Sequence, residues 1–195
     1  MNENCSERDV GAWQFFCNAH KVPKMYSQAS FTEIKSKLLN GDRPSRALSM
    51  ALMRRQSVLL TGTAGCGKTF CSYALLRESL ELGWVRPHEA RMVRTVELEQ
   101  RLHEAMRDYH SVSHIATDLS EYPLLVIDDF GVESSNSMLT RLFYDIIDSR
   151  VAYEKQTAIS TNLSMQQLEA RFGERIFSRL KTFVALEFSP IDQRG

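Results

Sequence analysis

The chain has 195 residues, of which 43% are hydrophobic and 25% charged, so we expect one α/β domain with a short appendage. Lys and Arg total 24, as do Asp and Glu, which excludes a global attraction to nucleic acid and means that any DNA contact needs a local basic strip. Four cysteines and no apolar run of membrane-spanning length argue against a disulfide scaffold and a membrane protein, and the polar start against a secretory signal, so we expect the cytoplasm.

Residues 1–44 are predicted to be a short N-terminal extension, with a role as a partner-docking arm left open. Its aromatic residues either pack on the main domain or bind a partner; they are Trp13, Phe15 and Phe16. Cys5, Cys17 and His20 offer a possible zinc set, but structural zinc sites use four ligands at tighter spacing, which favours ordinary packing. The spacing of apolar residues predicts a helix over 31–39 and another from an N-cap at Ser45 through Arg55.

Residues 57–69 carry the strongest chemical pattern. The apolar run 58–60 predicts a buried parallel strand, and the spacing from Gly62 to Thr69 is that of a P-loop, G-x-x-x-x-G-K-T. The glycines let successive backbone N–H groups point at one phosphate, and a helix predicted over 68–82 adds its positive N-terminal end. We expect Lys68 to reach the β- and γ-phosphates of ATP and the Thr69 hydroxyl to ligate Mg²⁺. The predicted nucleotide-binding residues of this loop are Gly62, Thr63, Ala64, Gly65, Cys66, Gly67, Lys68, Thr69 and Phe70.

A second strand is predicted over 90–94, followed by a helix whose apolar side has spacings of three and four. The residues of that side are Leu98, Leu102, Met106 and Tyr109. Residues 110–121 are polar and are predicted to be a solvated connection. His110, His114 and Asp118 could form a metal cluster there, which is the weaker alternative.

The second chemical pattern is an apolar strand, residues 123–127, that ends in two acids. Ligands lie at the carboxyl ends of strands in a parallel sheet, so Asp128 is predicted to hold Mg²⁺ beside Thr69, directly or through water. Asp129 is predicted to polarise the attacking water. An apolar strand ending in Asp is also a common structural feature, but the preceding P-loop favours the functional interpretation.

The rest of the chain continues the alternation of helices and strands, with a helix over 135–153 and strands over 157–161 and 183–188. Asn162 follows the first of these strands and is predicted to contact the γ-phosphate or position the water. Ser164 and Gln167 fit a capping box for the next helix. Five strands with helical crossovers predict a parallel sheet.

Five stretches taken together resemble the DnaC/IstB-like AAA+ ATPases, which are replicative-helicase loaders of bacteria and phages and the related transposition helpers. The similarity covers about residues 45–195, the predicted AAA+ ATPase domain. It implies a three-layer α/β/α fold, a five-stranded parallel sheet in the order 5-1-4-3-2 and no separate helical lid domain. The stretches are 62–69, 124–131, 146–150, 160–164 and 172–180.

The resemblance also implies roles for single residues. Asn162 matches the sensor-1 residue. Arg179, in Ser-Arg-Leu, matches the arginine finger that reaches the nucleotide of a neighbouring subunit, with Arg175 as the alternative. Arg194 aligns with the sensor-2 arginine, which contacts nucleotide. A finger supplied in trans predicts an ATP hydrolase that is slow as a monomer.

The partners implied by the resemblance are a replicative helicase, single-stranded DNA and other copies of the chain, in a bacterial or phage-infected cell and without a membrane. Helicase loaders of this type carry an N-terminal helicase-binding domain, and the composition of residues 1–44 does not indicate such a domain. An IstB-like transposition helper on duplex DNA and a nucleotide-binding module without hydrolysis therefore stay open. A small-molecule kinase would need an arginine-rich lid, and no such insertion is present.

Overall fold

Five parallel strands form the centre of the computed structural model, which describes residues 11–38, 40–107, 112–131 and 137–188. The strands are β1 (Val58–Thr61), β2 (Ala90–Arg94), β3 (Leu124–Phe130), β4 (Gln156–Thr161) and β5 (Val184–Glu187). The helices are α1 (Ala12–Ala19), α2 (Phe31–Lys37), α3 (Asp42–Met53), α4 (Lys68–Glu81), α5 (Thr95–Arg107), α6 (Val112–Glu121), α7 (Ser137–Ala152) and α8 (Met165–Leu180). Short 3-10 turns lie at Lys24–Tyr26 and Pro87–Glu89.

The strand order is β2-β3-β4-β1-β5, which read from the other edge confirms the predicted order 5-1-4-3-2. Every strand pair is parallel. The strand before the P-loop, β1, therefore lies beside β4, and β4 lies beside the acidic strand β3. The carboxyl ends of these three strands meet at one edge of the sheet, where the ligands of parallel α/β sheets bind.

Helices cover both faces of the sheet and give the three predicted layers. Side chains alternate between faces along a strand, so Val58 and Leu60 belong to one apolar cluster and Leu59 to another. The first cluster joins the sheet to α1–α4 and the second joins it to α5–α8. Within the described residues, no helix combines the length and the apolarity needed to cross a membrane.

From residue 11 onward, the described part of the N-terminal segment packs against the sheet domain. Trp13 and Phe16 are buried in the first cluster, and the Trp13 indole Nε1 donates to the Ser27 carbonyl at 2.7 Å. Cys17 is buried in the same cluster, whereas Cys5 lies outside the described residues. Packing, rather than exposure for a partner, is thus what the structure shows for Trp13 and Phe16. A docking role for residues 1–44 stays a prediction.

The prediction that Ser45 caps a helix is wrong. Helix α3 begins at Asp42, and Ser45 is buried inside it, where its hydroxyl donates to the Phe31 carbonyl at 2.9 Å. Pro44 lies in the first turn of α3, where proline is tolerated because the backbone N–H groups have no intrahelical partner. Ser45 instead ties α3 to the start of α2.

The predicted connection over 110–121 is also wrong, because residues 112–121 form helix α6. Ala116 and Leu119 are buried in the second apolar cluster while His114 and Asp118 are exposed, so the segment is an amphipathic helix with a polar outer face. In the preceding helix Met106 is half-exposed rather than buried. Tyr109 and His110 lie outside the described residues.

The other predicted elements are confirmed with shifts of one to three residues at their ends, and the largest shift is in β3, which continues through both acids to Phe130 instead of ending at residue 127. The strand over 90–94 matches β2 at both ends, and the capping box of Ser164 and Gln167 opens α8 with both reciprocal hydrogen bonds. Helix α4 begins at Lys68 and ends before Gly83, whose φ of +68° is typical of a glycine that terminates a helix.

Candidate nucleotide-binding site

The loop between β1 and α4 has a backbone that requires glycine. Gly62, Gly65 and Gly67 have φ values of +143°, +80° and +97°, a region that other L-residues rarely adopt. At Gly67 a Cβ atom would also lie 2.7 Å from the Leu38 Cδ2 atom. The loop is therefore closely covered by the end of α2, and Gly67 directly precedes the first residue of α4.

A cavity of about 410 Å³ opens over this loop and is called the nucleotide pocket below. Its floor is the loop and the first turn of α4, and one side is formed by Asp129 and Asn162 at the ends of β3 and β4. The other side comes from the N-terminal segment, through Tyr26 and Leu38 among others. The residues of the predicted loop that line the pocket are Ala64, Gly65, Gly67, Lys68, Thr69 and Phe70. Cys66, in contrast, is buried.

The Lys68 side chain lies across the loop and is only 5% exposed. Its Nζ atom donates to the carbonyls of Gly62 and Thr63, both at 2.7 Å, and to the Asn162 Oδ1 atom at 2.8 Å. Lys68 and Asn162 are 94 positions apart in the chain and meet because β1 and β4 are neighbours. Asn162 therefore lies beside the P-loop, and its contact with the γ-phosphate or the water stays a prediction.

Asp128 lies at the other side of the P-loop, buried at 2% exposure. The Thr69 hydroxyl lies 3.2 Å from its Oδ1 atom and 3.1 Å from its Oδ2 atom, and the Ser160 hydroxyl donates to Oδ1. Burial raises the pKa of Asp128 above its usual value, and the neighbouring Asp129 raises it further. The hydrogen bonds from Ser160 and Thr69 and the charge of Lys68 act in the opposite direction.

This pair of oxygen groups fits a magnesium ion. Mg²⁺ prefers hard oxygen ligands, usually one or two carboxylates together with substrate phosphates and waters. The carboxylate of Asp128 and the hydroxyl of Thr69 are within hydrogen-bond distance of each other, and a cation beside them would offset the desolvation of a buried carboxylate. No three His, Cys, Asp or Glu side chains group as a metal site among the described residues.

Asp129 lines the nucleotide pocket, whereas Asp128 does not. Its φ is +58°, the left-handed region, and the register of β3 against β4 shifts between Ile127 and Phe130. The Asp129 N–H donates to the Ser160 hydroxyl at 3.0 Å, which holds this conformation. Such irregularities in a strand re-aim a side chain and are common beside active sites.

Arg179 is placed apart from these groups. It lies in α8, and its Nε and Nη2 atoms both bond to the Asp148 Oδ1 atom at 2.7 Å. Its guanidinium carbon lies 5.5 Å from the centre of the Tyr144 ring. Arg179 is not among the described residues that line the nucleotide pocket. Arg175 is exposed on the same helix, and Arg194 lies outside the described residues.

Sequence reasoning missed Ser160 and the N-terminal residues that line the nucleotide pocket. Ser160 fixes both Asp128 and the backbone of Asp129, and its position two residues before Asn162 was the available signal. Tyr26 and Leu38 line the pocket from the N-terminal segment, and no local pattern points to them because their position results from packing between distant parts of the chain.

The fold and the site together define a P-loop nucleotide-binding protein with the parallel sheet of AAA+ domains. The family model described as "IstB-like ATP binding protein" matches residues 14–180, and the chain belongs to this IstB/DnaC-like ATP-binding family.

Two curated relatives come from Escherichia coli strain K12. The replicative helicase loader DnaC is 25% identical over 126 residues, which cover 64% of this chain and 50% of that protein. The uncharacterized protein YdaV is 26% identical over 120 residues, covering 62% of this chain and 47% of that protein. The chain therefore spans about half the length of the curated relatives it matches.

Solved structures show the same fold. The crystal structure of the DnaC helicase loader has a TM-score of 0.74 at 24% identity and covers 86% of this chain and 100% of its own. The replication initiator DnaA bound to AMPPCP and single-stranded DNA has a TM-score of 0.71 at 18% identity, covering 86% of this chain and 52% of its own.

Proposed function

We propose that this protein is an ATPase that binds ATP and Mg²⁺ between subunits, binds single-stranded DNA, and loads or remodels a replicative helicase. The observation that carries the proposal is the meeting of Lys68 with Asn162 and of Thr69 with Asp128 at the ends of three adjacent strands. Basic, hydroxyl, carboxylate and amide groups are the set that phosphoryl-transfer sites combine.

Binding of the triphosphate follows from the loop and from Lys68. The ammonium group of Lys68 now has neutral oxygen acceptors, and a phosphate in the pocket would replace them with charged ones, which form hydrogen bonds roughly twice as strong. The N-terminus of α4 adds favourable partial charge. Leu38 and Tyr26 offer apolar and aromatic surface on the other side of the pocket, and this surface suits the adenine ring of ATP.

Hydrolysis requires a positioned water and stabilisation of charge on the γ-phosphoryl oxygens. Asp129 faces the pocket and would accept a proton from the water, while Asn162 would orient the water or the phosphate. Mg²⁺ held by Thr69 and Asp128 would neutralise charge on the phosphates. Ser160 keeps the two aspartates in their separate orientations.

The arginine finger is proposed to be Arg179 of a second copy of the chain. In its own chain this residue is tied to Asp148, and the pair is partly exposed, with side-chain exposures of 33% and 40%. Ion pairs of this kind contribute about 0–1 kcal/mol, so exchanging Asp148 for a phosphate of the neighbouring subunit costs little. An arginine finger accelerates phosphoryl transfer by roughly 10³–10⁵.

The helicase partner is supported by the relation to DnaC, described as a replicative helicase loader. The match to the IstB-like family model favours a second candidate, a transposition helper that uses nucleotide as an assembly switch on duplex DNA. Pull-down of the purified chain with a replicative helicase and, separately, with a transposase of the same host distinguishes them. Retention of the helicase alone supports the first proposal, and retention of the transposase alone contradicts it.

ATP hydrolysis is tested with Asp128→Asn, which removes the charge that would hold the metal and keeps the size of the side chain. We expect magnesium-dependent turnover to be lost. The matched control is Asp145→Asn, because Asp145 is an exposed aspartate of α7, and this variant should hydrolyse ATP as the wild type does. Full turnover by Asp128→Asn would contradict the assignment of the site.

A further inference from the structure

A second cavity, of about 370 Å³, lies beside the nucleotide pocket where the end of α1 meets β2 and the start of α5. Three of its lining residues are cations, Lys21, Arg91 and Arg94, and one is a carboxylate, Glu97. These four residues define what we call the basic pocket. In a chain with no net charge, it is a local concentration of positive charge.

The one carboxylate of the basic pocket is already neutralised. Arg94 holds Glu97 with its Nε atom at 2.9 Å and its Nη2 atom at 2.8 Å from the Oε1 atom. Lys21 and Arg91 have no carboxylate within ion-pair distance in the part of the chain that the structure describes. The cavity is therefore left with two positive charges that lack a counter-charge there, an arrangement that attracts an anion.

Arg91 is oriented by a histidine. Its Nη1 atom lies 3.4 Å from the Nδ1 atom of His20, whose ring stacks on Phe16 at 4.1 Å between centroids. A guanidinium only donates, so Nδ1 accepts and the ring proton is on Nε2. Burial, followed by the charge of Arg91, lowers the pKa of His20. His20 is thus a neutral group that fixes Arg91 and offers one more N–H donor.

The aromatic rings near this cavity are already engaged. Phe16 stacks against both His20 and Trp13, and Tyr73 stacks against Tyr26. Single-strand binding proteins read bases by stacking them on free aromatic faces, so these rings are not available for bases. Recognition in the basic pocket rests on the Lys, Arg and His donors, which suit phosphate oxygens and carry no base preference.

We propose that the basic pocket binds the phosphodiester backbone of single-stranded DNA through Lys21 and Arg91. The proposal rests on the proposed function and assigns the DNA contact to particular residues. A recessed cavity admits the flexible backbone of one strand, whereas duplex DNA presents its phosphates on a rigid convex surface. Arg94, whose side chain is 59% exposed, extends the positive surface outward from the cavity.

The position of the basic pocket connects DNA to the nucleotide. Arg94 is the register partner of Asp128 across β2 and β3. The stacked rings of Tyr26 and Tyr73, 4.7 Å apart, separate the two cavities, since Tyr26 lines the nucleotide pocket and Tyr73 lines the basic pocket. A ligand in either cavity contacts one ring of this pair.

The test compares binding of a labelled thymidine oligonucleotide by the wild-type chain and by Lys21→Asn/Arg91→Gln between 50 and 200 mM salt. Asn suits the left-handed backbone of Lys21, with φ of +50°, and Gln at position 91 keeps an N–H donor for the His20 ring. Two single-strand phosphate contacts contribute a salt slope of about 1.4, so the affinity ratio between the two salt concentrations should be about sevenfold smaller in the variant.

Three further variants make the result specific. Arg43→Gln/Arg46→Gln removes two exposed charges from α3 and should keep the wild-type slope. Lys21→Arg/Arg91→Lys keeps both charges and should also keep the wild-type salt slope. If the role of Arg91 were purely structural, this variant would instead change DNA binding. If the double variant does not fold, as judged by its thermal unfolding, Lys21→Asn alone should lower the slope by about 0.7.

Several outcomes overturn the inference. An unchanged slope in Lys21→Asn/Arg91→Gln places DNA binding elsewhere and leaves the proposed function intact, whereas a wild-type chain that binds no oligonucleotide contradicts both. An equal loss in the α3 control shows an effect of net charge alone. If inorganic phosphate raises the unfolding temperature of the wild type but not of the double variant, and both bind the oligonucleotide equally, the pocket takes free phosphate rather than DNA.

Discussion

The two aspartates at the end of β3 occupy different environments although they are adjacent. Asp128 is buried against Thr69 and Ser160, while Asp129 lines the nucleotide pocket in a left-handed conformation. The sequence alone placed both near the phosphates. It could not predict the change of direction between them, because that depends on the register shift against β4.

Asp129→Asn distinguishes a role in ATP binding from a role in ATP hydrolysis. We expect turnover to fall by roughly 10²–10⁴, the usual contribution of a positioned base, while ATP affinity is kept or increases because a negative charge near the phosphates is removed. Lys68→Ala should instead weaken ATP binding itself. Measuring ATP affinity by calorimetry and turnover by phosphate release tests both, and wild-type turnover in Asp129→Asn would exclude the assigned role.

Gly67→Ala tests the close approach of α2 to the loop. The added methyl group would meet the end of the Leu38 side chain at 2.7 Å and would sit at a φ of +97°, so we expect ATP binding to weaken, mainly through the backbone strain. Adding Leu38→Ala removes the clash but not the backbone strain, which costs about 1–2 kcal/mol, and should restore binding only in part. Equal ATP affinity in Gly67→Ala and the wild type would show that the loop is not held as described.

At the scale of elements, one buried arginine joins three segments of the second layer. Arg150, in α7, is 1% exposed. Its Nη1 atom donates to the carbonyls of Leu119 at 3.0 Å and Tyr122 at 2.7 Å, at the end of α6, and its Nη2 atom donates to the Gln156 carbonyl at 2.7 Å at the start of β4. Burial lowers its pKa to about 9, which leaves the guanidinium charged at neutral pH. It satisfies carbonyls that the end of α6 leaves without partners.

Arg150→Lys keeps the charge but loses the planar set of donors. Each carbonyl left without a partner costs about 1–3 kcal/mol, so we expect a loss of at least about 3 kcal/mol. In a chain of this size that lowers the unfolding temperature by roughly 6–12 °C. Arg141→Lys, at an exposed position of the same helix, should change it little. Equal unfolding temperatures for Arg150→Lys and the wild type would contradict this role.

Local patterns predicted the elements better than they predicted how elements meet. The P-loop strand, α4 and β2 follow from apolar runs, glycines and spacing, and so they lie within a residue or two of the predictions. Helix α6 was missed because its polar outer face, with His114 and Asp118, was read as a connection, although Ile115, Ala116 and Leu119 have helical spacing. Ser45 was misassigned because its partner, the Phe31 carbonyl, belongs to another helix. The contribution of Tyr26 and Leu38 to the nucleotide pocket likewise depends on packing between distant segments.

At the scale of the whole molecule, the account depends on a site completed by a second copy. The chain brings Lys68, Thr69, Asp128, Asp129 and Asn162 to one pocket and holds Arg179 at another surface, on Asp148. Turnover per protomer should therefore rise with protein concentration, because assembly brings the finger to the phosphates. Turnover that is independent of concentration over the range in which the chain assembles would argue for a complete site in each copy.

Mixing two inactive variants tests this claim most directly. Lys68→Ala lacks a working pocket but keeps its finger, and Arg179→Ala lacks the finger but keeps its pocket. In an equal mixture half of the sites keep Lys68 and half of those face an intact Arg179, so about a quarter of wild-type turnover should return if the interface is heterologous. A mixture no more active than its two components, or an Arg179→Ala variant that is fully active alone, would contradict the shared site.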